Sequence, residues 1–184
     1  MEGASVMRLF LAILFEEPVK DRLREAMELI RRSTRTSRLT RRENLHLTLV
    51  FLGELREAGK VREAMEEIRT GPFPLEIRGL GRFQRDGGDL YWAGIEPSLP
   101  LQNLYLELKN ALAGKGIAVE DRPYRPHLTL ARQAVEKAGN PFLHAEKPVG
   151  AGKNQSRRRQ SDEIGANRGK AGLHRAVPQG AARK

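Results

Sequence analysis

The stretch Asn44-Leu45-His46-Leu47-Thr48-Leu49-Val50-Phe51-Leu52 decides how this 184-residue chain is read, because its tetrapeptide His46 to Leu49 returns unchanged at His127 to Leu130. In an extended strand, successive side chains point to opposite faces. His46 and Thr48 therefore share one face, while Leu45, Leu47 and Leu49 share the other. The second copy sets His127 and Thr129 against Leu128 and Leu130. Each copy reads as a strand with a buried apolar face and a polar face carrying one imidazole and one hydroxyl. Two such strands facing a common space make a site of four groups.

That set suits phosphoryl transfer without a metal. A neutral imidazole takes a proton from attacking water, and a protonated one gives a proton to the departing ribose oxygen. Histidine, with an ordinary pKa of about 6.5, supplies both forms near neutrality. Two threonine hydroxyls donate to the non-bridging oxygens as charge builds there. A single His-Leu-Thr-Leu would be an ordinary amphipathic strand; its repetition on either side of the chain's midpoint is hard to attribute to packing. Zinc is disfavoured, since the chain has no cysteine, no His-x-His or His-x-x-x-His spacing, and no carboxylate at a fixed short spacing from either histidine. His144 and His174 lie in weakly patterned sequence and read as solvent-exposed.

Outward from the motifs, Met7 to Phe15 reads as a buried strand and Pro18 to Arg32 as a helix opened by proline, with Leu23, Met27 and Ile30 on one face. Asn44 to Leu52 is the first motif strand, and Lys60 to Arg69 shows helical spacing. Phe73 to Leu80 and Leu90 to Ile95 form strands joined around Asp86-Gly87-Gly88-Asp89, a hairpin signal. Leu101 to Ala113 is an amphipathic helix ending near Gly114, and a loop from Glu120 to Pro126 leads into the second motif. This order predicts an α+β fold of two similar lobes, each an antiparallel sheet with helices outside, facing across a cleft.

Composition sets outer bounds. The formal net charge is +10, but residues 150–184 hold nine Lys or Arg against two Asp or Glu, which leaves 24 against 21 in the first 149 residues. The body is only mildly basic, and a basic tail is usually a solvated one. Arg31, Arg32, Arg35, Arg38, Arg41 and Arg42 crowd the approach to the first motif, either as a solvated helix end and loop or as phosphate-steering charges. Zero cysteines fit a reducing cytoplasm. The short apolar run Met7 to Phe15, preceded by Glu2 and followed by charge, resembles neither a signal peptide nor a membrane span. Met1 to Val6 carries no pattern.

At this point the chain resembles the two-histidine phosphoesterases, and among them the RNA 2',3'-cyclic phosphodiesterases also called 2'-5' RNA ligases. The paired His-x-Thr-x motifs carry the resemblance, supported by Met7 to Ile13, by Phe51-Leu52-Gly53-Glu54, and by Arg125-Pro126 and Ala131-Arg132 flanking the second motif. It spans roughly residues 7–150. The resemblance implies hydrolysis of an RNA terminal 2',3'-cyclic phosphate to a 2'-phosphate, with His46 as proton donor to the 3' oxygen and His127 as base. The implied partners are RNA ends or nucleotides with a cyclic phosphate, handled by a cytoplasmic monomer with no cofactor, no metal and no membrane. Ligation at 2'-5' junctions, or binding without efficient turnover, are the alternatives.

Thr48 and Thr129 are expected to bind substrate, and two further residues are candidates. Tyr124, in a loop just before His127, is free to stack on a base. Arg132 shares no parity with Thr129 but could swing toward phosphate from a strand end. Phe51 matches the parity of Leu49 and is expected in the core unless a bulge turns it; Trp92 is expected in the core as well. The domain is expected to run over 7–152 with an incomplete second lobe. Residues 153–184, whose large aliphatics are Ile164, Leu173 and Val177, are expected to be a disordered or loosely draped basic tail with no strand pairing into the second lobe. A frameshift explains such a tail: with one base removed at Lys153-Asn154, the codons of Asp162 to Ala166 permit Met-Lys-Ser-Glu-Leu and those of Leu173 to Ala176 permit Tyr-Thr-Glu-Leu.

Overall fold

The computed structural model describes residues 7–56, 58–138, 164–168 and 170–175. In chain order the elements are β1 (Met7–Leu14), α1 (Glu17–Ser33), β2 (Thr34–Leu39), β3 (His46–Leu55), α2 (Ala58–Glu66), β4 (Pro74–Phe83), β5 (Asp89–Ile95), α3 (Leu99–Gly114), β6 (His127–Glu136), β7 (Ile164–Arg168) and β8 (Lys170–Arg175). They build two antiparallel sheets, one ordered β3-β1-β8 and the other β2-β6-β5-β4-β7. The expected α+β fold with two sheet-based lobes is what forms. Among the described residues no helix is long and apolar enough to cross a membrane.

Local sequence explains most elements. In β1, Leu9, Leu11 and Ile13 are buried while Arg8 and Leu14 face outward, the alternation of a strand with one covered face. Helix α1 opens with Glu17 and Pro18, where a missing N–H costs nothing, and buries Leu23, Met27 and Ile30 against β6. Helix α3 is capped by Ser98, whose side chain accepts a hydrogen bond from the Leu101 amide at 3.4 Å, and its Leu101, Leu104, Leu108 and Leu112 stripe is buried on the β3 side. The β4–β5 hairpin turns through Gly87 and Gly88, at φ of 81° and 115°. Leucines from both motif strands, Leu47, Leu49, Leu128 and Leu130, meet these helices in one buried cluster.

Two expectations are corrected. Thr34–Leu39, inside the arginine-rich approach, is a strand and not a loop, pairing with β6 from Thr34 opposite Glu136 to Leu39 opposite Ala131. As an edge strand it leaves Arg35, Thr36 and Arg38 in solvent, so its sequence carries little apolar alternation. The second correction concerns the tail. Ile164–Arg168 pairs with β4, in the sheet that holds the second motif, against the expectation of no strand pairing into the second lobe, and Lys170–Arg175 pairs with β1 in the other sheet. Strand addition needs backbone donors and acceptors on an open edge more than apolar side chains, and β1 and β4 offer such edges. His144 and Lys153 lie outside the described residues, as does Met1–Val6.

Candidate active site

The two motif strands begin at their histidines and repeat one burial pattern. In β3 and in β6 the His and Thr are half-buried and the leucines after each are fully covered, as strand parity requires. The repetition extends further than the tetrapeptide. In β3 the pairing with β1 steps from Thr48 opposite Ala12 to Val50 opposite Leu11, so Leu49 is an extra residue in the ladder. In β6 the pairing with β5 steps from Thr129 opposite Trp92 to Ala131 opposite Tyr91, so Leu130 is the extra one. A bulge of this kind reverses parity beyond it. Phe51 and Arg132, each three residues after its threonine, are thereby turned onto the same face as the His and Thr.

This corrects the expected core placement of Phe51, which is 38% exposed. It also supplies what parity denied to Arg132, since β6 runs on to Glu136 and no strand end is needed to swing the side chain. Gln133, at φ 51°, marks the local distortion that follows. The Arg132 pKa is lowered, first by burial and then by the charge of Arg85. Arg38 stands opposite Arg132 in the β2–β6 register, so the second lobe gathers cationic groups beside Thr129. Both effects on Arg132 would be relieved by an anion. Of the other basic residues near the first motif, Arg42 bridges Glu17 and Asp21 at 2.6 and 2.7 Å and Arg31 pairs with Glu28, which are structural uses.

His127 is fixed in orientation and tautomer. Its Nδ1 lies 2.7 Å from the Arg125 carbonyl oxygen, and a carbonyl only accepts, so Nδ1 carries the hydrogen. The lone pair of the neutral ring is therefore on Nε2. Phe83 meets the ring edge-on at 5.3 Å between centroids, and Trp92 lies 6.2 Å away. Trp92 is half-buried on the motif face and not in the core, a second corrected placement. Its indole lies over Gly81, where an added Cβ would come within 2.3 Å of the ring, and its buried Nε1 has no hydrogen-bond partner among the described residues.

His46 is held differently. Phe10 stacks on it at 4.7 Å between centroids with 23° between planes, across the small Ala12 that lies between them in the β1 register.

Three hydrogen bonds tie the motifs to each other and to Thr40, the residue after β2. Tyr124 donates from its hydroxyl to the Thr48 carbonyl at 3.2 Å, reaching from the second motif's approach loop to the first motif strand. Thr40 donates its hydroxyl to the Thr129 carbonyl and its amide to that of Leu130, both at 2.8 Å. Tyr124 is not the free loop aromatic that its position suggested. Its ring stacks on Tyr105 of α3 at 4.4 Å, and burial raises its hydroxyl pKa well above the usual tyrosine value. Phe10, Phe83, Trp92 and Arg85 were not legible as site residues, because cross-strand neighbours depend on register. Among the described residues no group of three or more His, Asp or Glu converges.

Known proteins are similar to this chain in sequence and in fold. The RNA 2',3'-cyclic phosphodiesterase of Thermotoga maritima is 36% identical over 132 residues, covering 68% of this chain and 70% of that protein. The protein of that name in Thermus thermophilus is 33% identical over 141 residues, covering 69% of each. Among solved structures, Escherichia coli LigT in its apo form superposes with a TM-score of 0.61 at 30% identity, over 74% of this chain and 77% of LigT. LigT complexed with 3'-AMP reaches 0.64 at 21% identity over 94% and 97%, which extends the likeness of fold to nearly the whole chain. The model of the 2'-5' RNA ligase superfamily matches residues 19–149, and on that match and these identities the chain belongs to the 2'-5' RNA ligase superfamily.

Proposed function

We propose that this protein hydrolyses the 2',3'-cyclic phosphate at an RNA end to a 2'-phosphate by histidine acid–base catalysis. The observation that carries the reading is the Nδ1 contact of His127 to the Arg125 carbonyl, on a motif repeated at His46. It leaves Nε2 as the base that takes a proton from water as the water oxygen attacks phosphorus. The bond from phosphorus to O3' breaks, and His46, held by its stack on Phe10, gives its proton to O3'. Thr48 and Thr129 donate to the non-bridging oxygens, and Arg132, turned onto the motif face by its bulge, adds a guanidinium to the developing charge. Phe51, turned by the equivalent bulge, offers its exposed ring to the terminal base. Tyr124 acts as the tie between the motif strands. The names borne by the relatives support the RNA substrate, and the histidine spacing, which suits no zinc site, supports action without metal; we propose further that the protein acts as a monomer in the cytoplasm.

The test is an oligoribonucleotide ending in a 2',3'-cyclic phosphate, incubated with the purified protein in EDTA. A 2'-phosphate end is the expected product. Loss of activity in EDTA, a joined product, or tight binding without turnover would each overturn part of this reading.

A further inference from the structure

Register places a fourth group in line with the first motif. On the motif face of the β1–β3 pair, His46 stands opposite Leu14, Thr48 opposite Ala12, Phe51 opposite Phe10, and Glu54 opposite Arg8. The order along the face is imidazole, hydroxyl, aromatic ring, guanidinium. Arg8 is exposed, its guanidinium carbon lies 5.2 Å from the centroid of the Phe51 ring, and its place in β1 is beyond the Phe51 level as counted from His46. We infer that Arg8 binds the phosphodiester immediately 5' of the terminal nucleoside, so that the site selects RNA strands over single cyclic nucleotides. The inference rests on the function proposed above.

The argument is one of direction and charge. With the reacting phosphorus at His46 and Thr48 and the terminal base against the near side of Phe51, the ribose is held between them. Its 5' carbon lies across the sugar from the 2' and 3' oxygens, so the upstream strand leaves away from the histidines. That path runs past Phe51, and the first charge on it is the linking phosphate. Along β1 the Phe51 level, at Phe10, is two residues from the Thr48 level, at Ala12, or about 7 Å at ~3.3 Å per residue, and the Arg8 guanidinium reaches back over the Phe51 ring from two residues further on. Neighbouring phosphates of one RNA strand are separated by a similar distance, so the guanidinium meets the phosphate next to the reacting one. The cation on Phe51 is also held in place by the ring, which lowers the entropy lost when it meets an anion.

The experiment compares wild type and Arg8→Gln on two substrates, adenosine 2',3'-cyclic phosphate and the dinucleotide ApA ending in a 2',3'-cyclic phosphate. Wild type is expected to favour the dinucleotide, and in Arg8→Gln the ratio of kcat/KM values should fall about ten-fold, the scale of one charge-assisted hydrogen bond. A second readout does not need turnover. Binding of a 5'-labelled tetranucleotide bearing a 2'-phosphate is followed by anisotropy against salt, and the slope of log K on log salt should be shallower by about 0.7 in Arg8→Gln, one phosphate contact on a single strand. Equal ratios and equal slopes in the two proteins would overturn the inference while leaving the proposed reaction intact. If neither substrate turns over, the proposed reaction fails, and the salt slope alone decides the role of Arg8. Arg8→Lys, which keeps the charge, should retain most of the salt slope; its loss there would point to packing on Phe51 and against phosphate binding.

Discussion

Gly81 to alanine is the sharpest test of how the second motif is held. The new Cβ would lie 2.3, 2.4 and 2.7 Å from three carbons of the Trp92 indole. Carbon atoms in contact sit about 3.5–4.0 Å apart, so the ring or strand β4 must yield by roughly 1.2 Å or more. The indole has little room, with Phe83 at 5.4 Å and His127 at 6.2 Å between centroids. Overpacking of this kind costs about 1–3 kcal/mol, offset by roughly 0.5–1 kcal/mol from replacing glycine in a strand. For a chain of this size the net loss of up to about 2.5 kcal/mol should lower Tm by up to about 10 °C. Because the displaced ring borders His127, turnover should fall on the order of 100-fold, the cost of a catalytic group moved by about 1 Å. The assay is a thermal melt with emission from Trp92, the chain's single tryptophan, alongside cyclic-phosphate hydrolysis. Gly59→Ala is the control, since a Cβ there meets nothing within 4 Å and a helical alanine should stabilise α2 by about 0.8–1 kcal/mol. If Gly81→Ala left melting, emission and turnover unchanged, the packing argument for His127 would be wrong.

Alanine at His46 or His127 should lower turnover at least about 100-fold with little change in melting, and near-full activity in either variant would refute the acid–base assignment. Tyr124→Phe keeps the stack on Tyr105 but removes the bond to the Thr48 carbonyl, so stability should drop by about 1 kcal/mol in denaturant titration. Tyr91 donates to Glu136 at 2.5 Å, and burial, then that carboxylate, holds its pKa well above 10; the unfolded tyrosine ionises near 10 and the folded one does not. Stability supplied by its retained proton is complete below about pH 10 and declines as pH rises through the folded value, so melting should fall above pH 10 and fall less steeply in Tyr91→Phe. For the segment after Gly152 we propose a frameshift origin: resequencing across the Lys153 codon tests it, and the frame-restored chain should melt higher than this one.

Local chemistry in the sequence determined the strand parity of both motifs, the identity of the four polar groups, the amphipathic faces of α1 and α3, and the glycine-bearing hairpin. Each depends on neighbours within a few residues, so a linear reading reaches it. The tertiary structure decided what followed from pairing. A bulge is a relation between two strands, invisible in either alone, and it was the bulges at Leu49 and Leu130 that brought Phe51 and Arg132 to the motif face. The same holds for the contacts that distinguish the two histidines, Phe10 on His46 and the Arg125 carbonyl on His127, and for Tyr124, which packs on a helix rather than waiting in a loop. Strand pairing after residue 163 escaped the sequence for a related reason: it draws on the open edges of β1 and β4, and backbone hydrogen bonds leave no mark on side-chain composition.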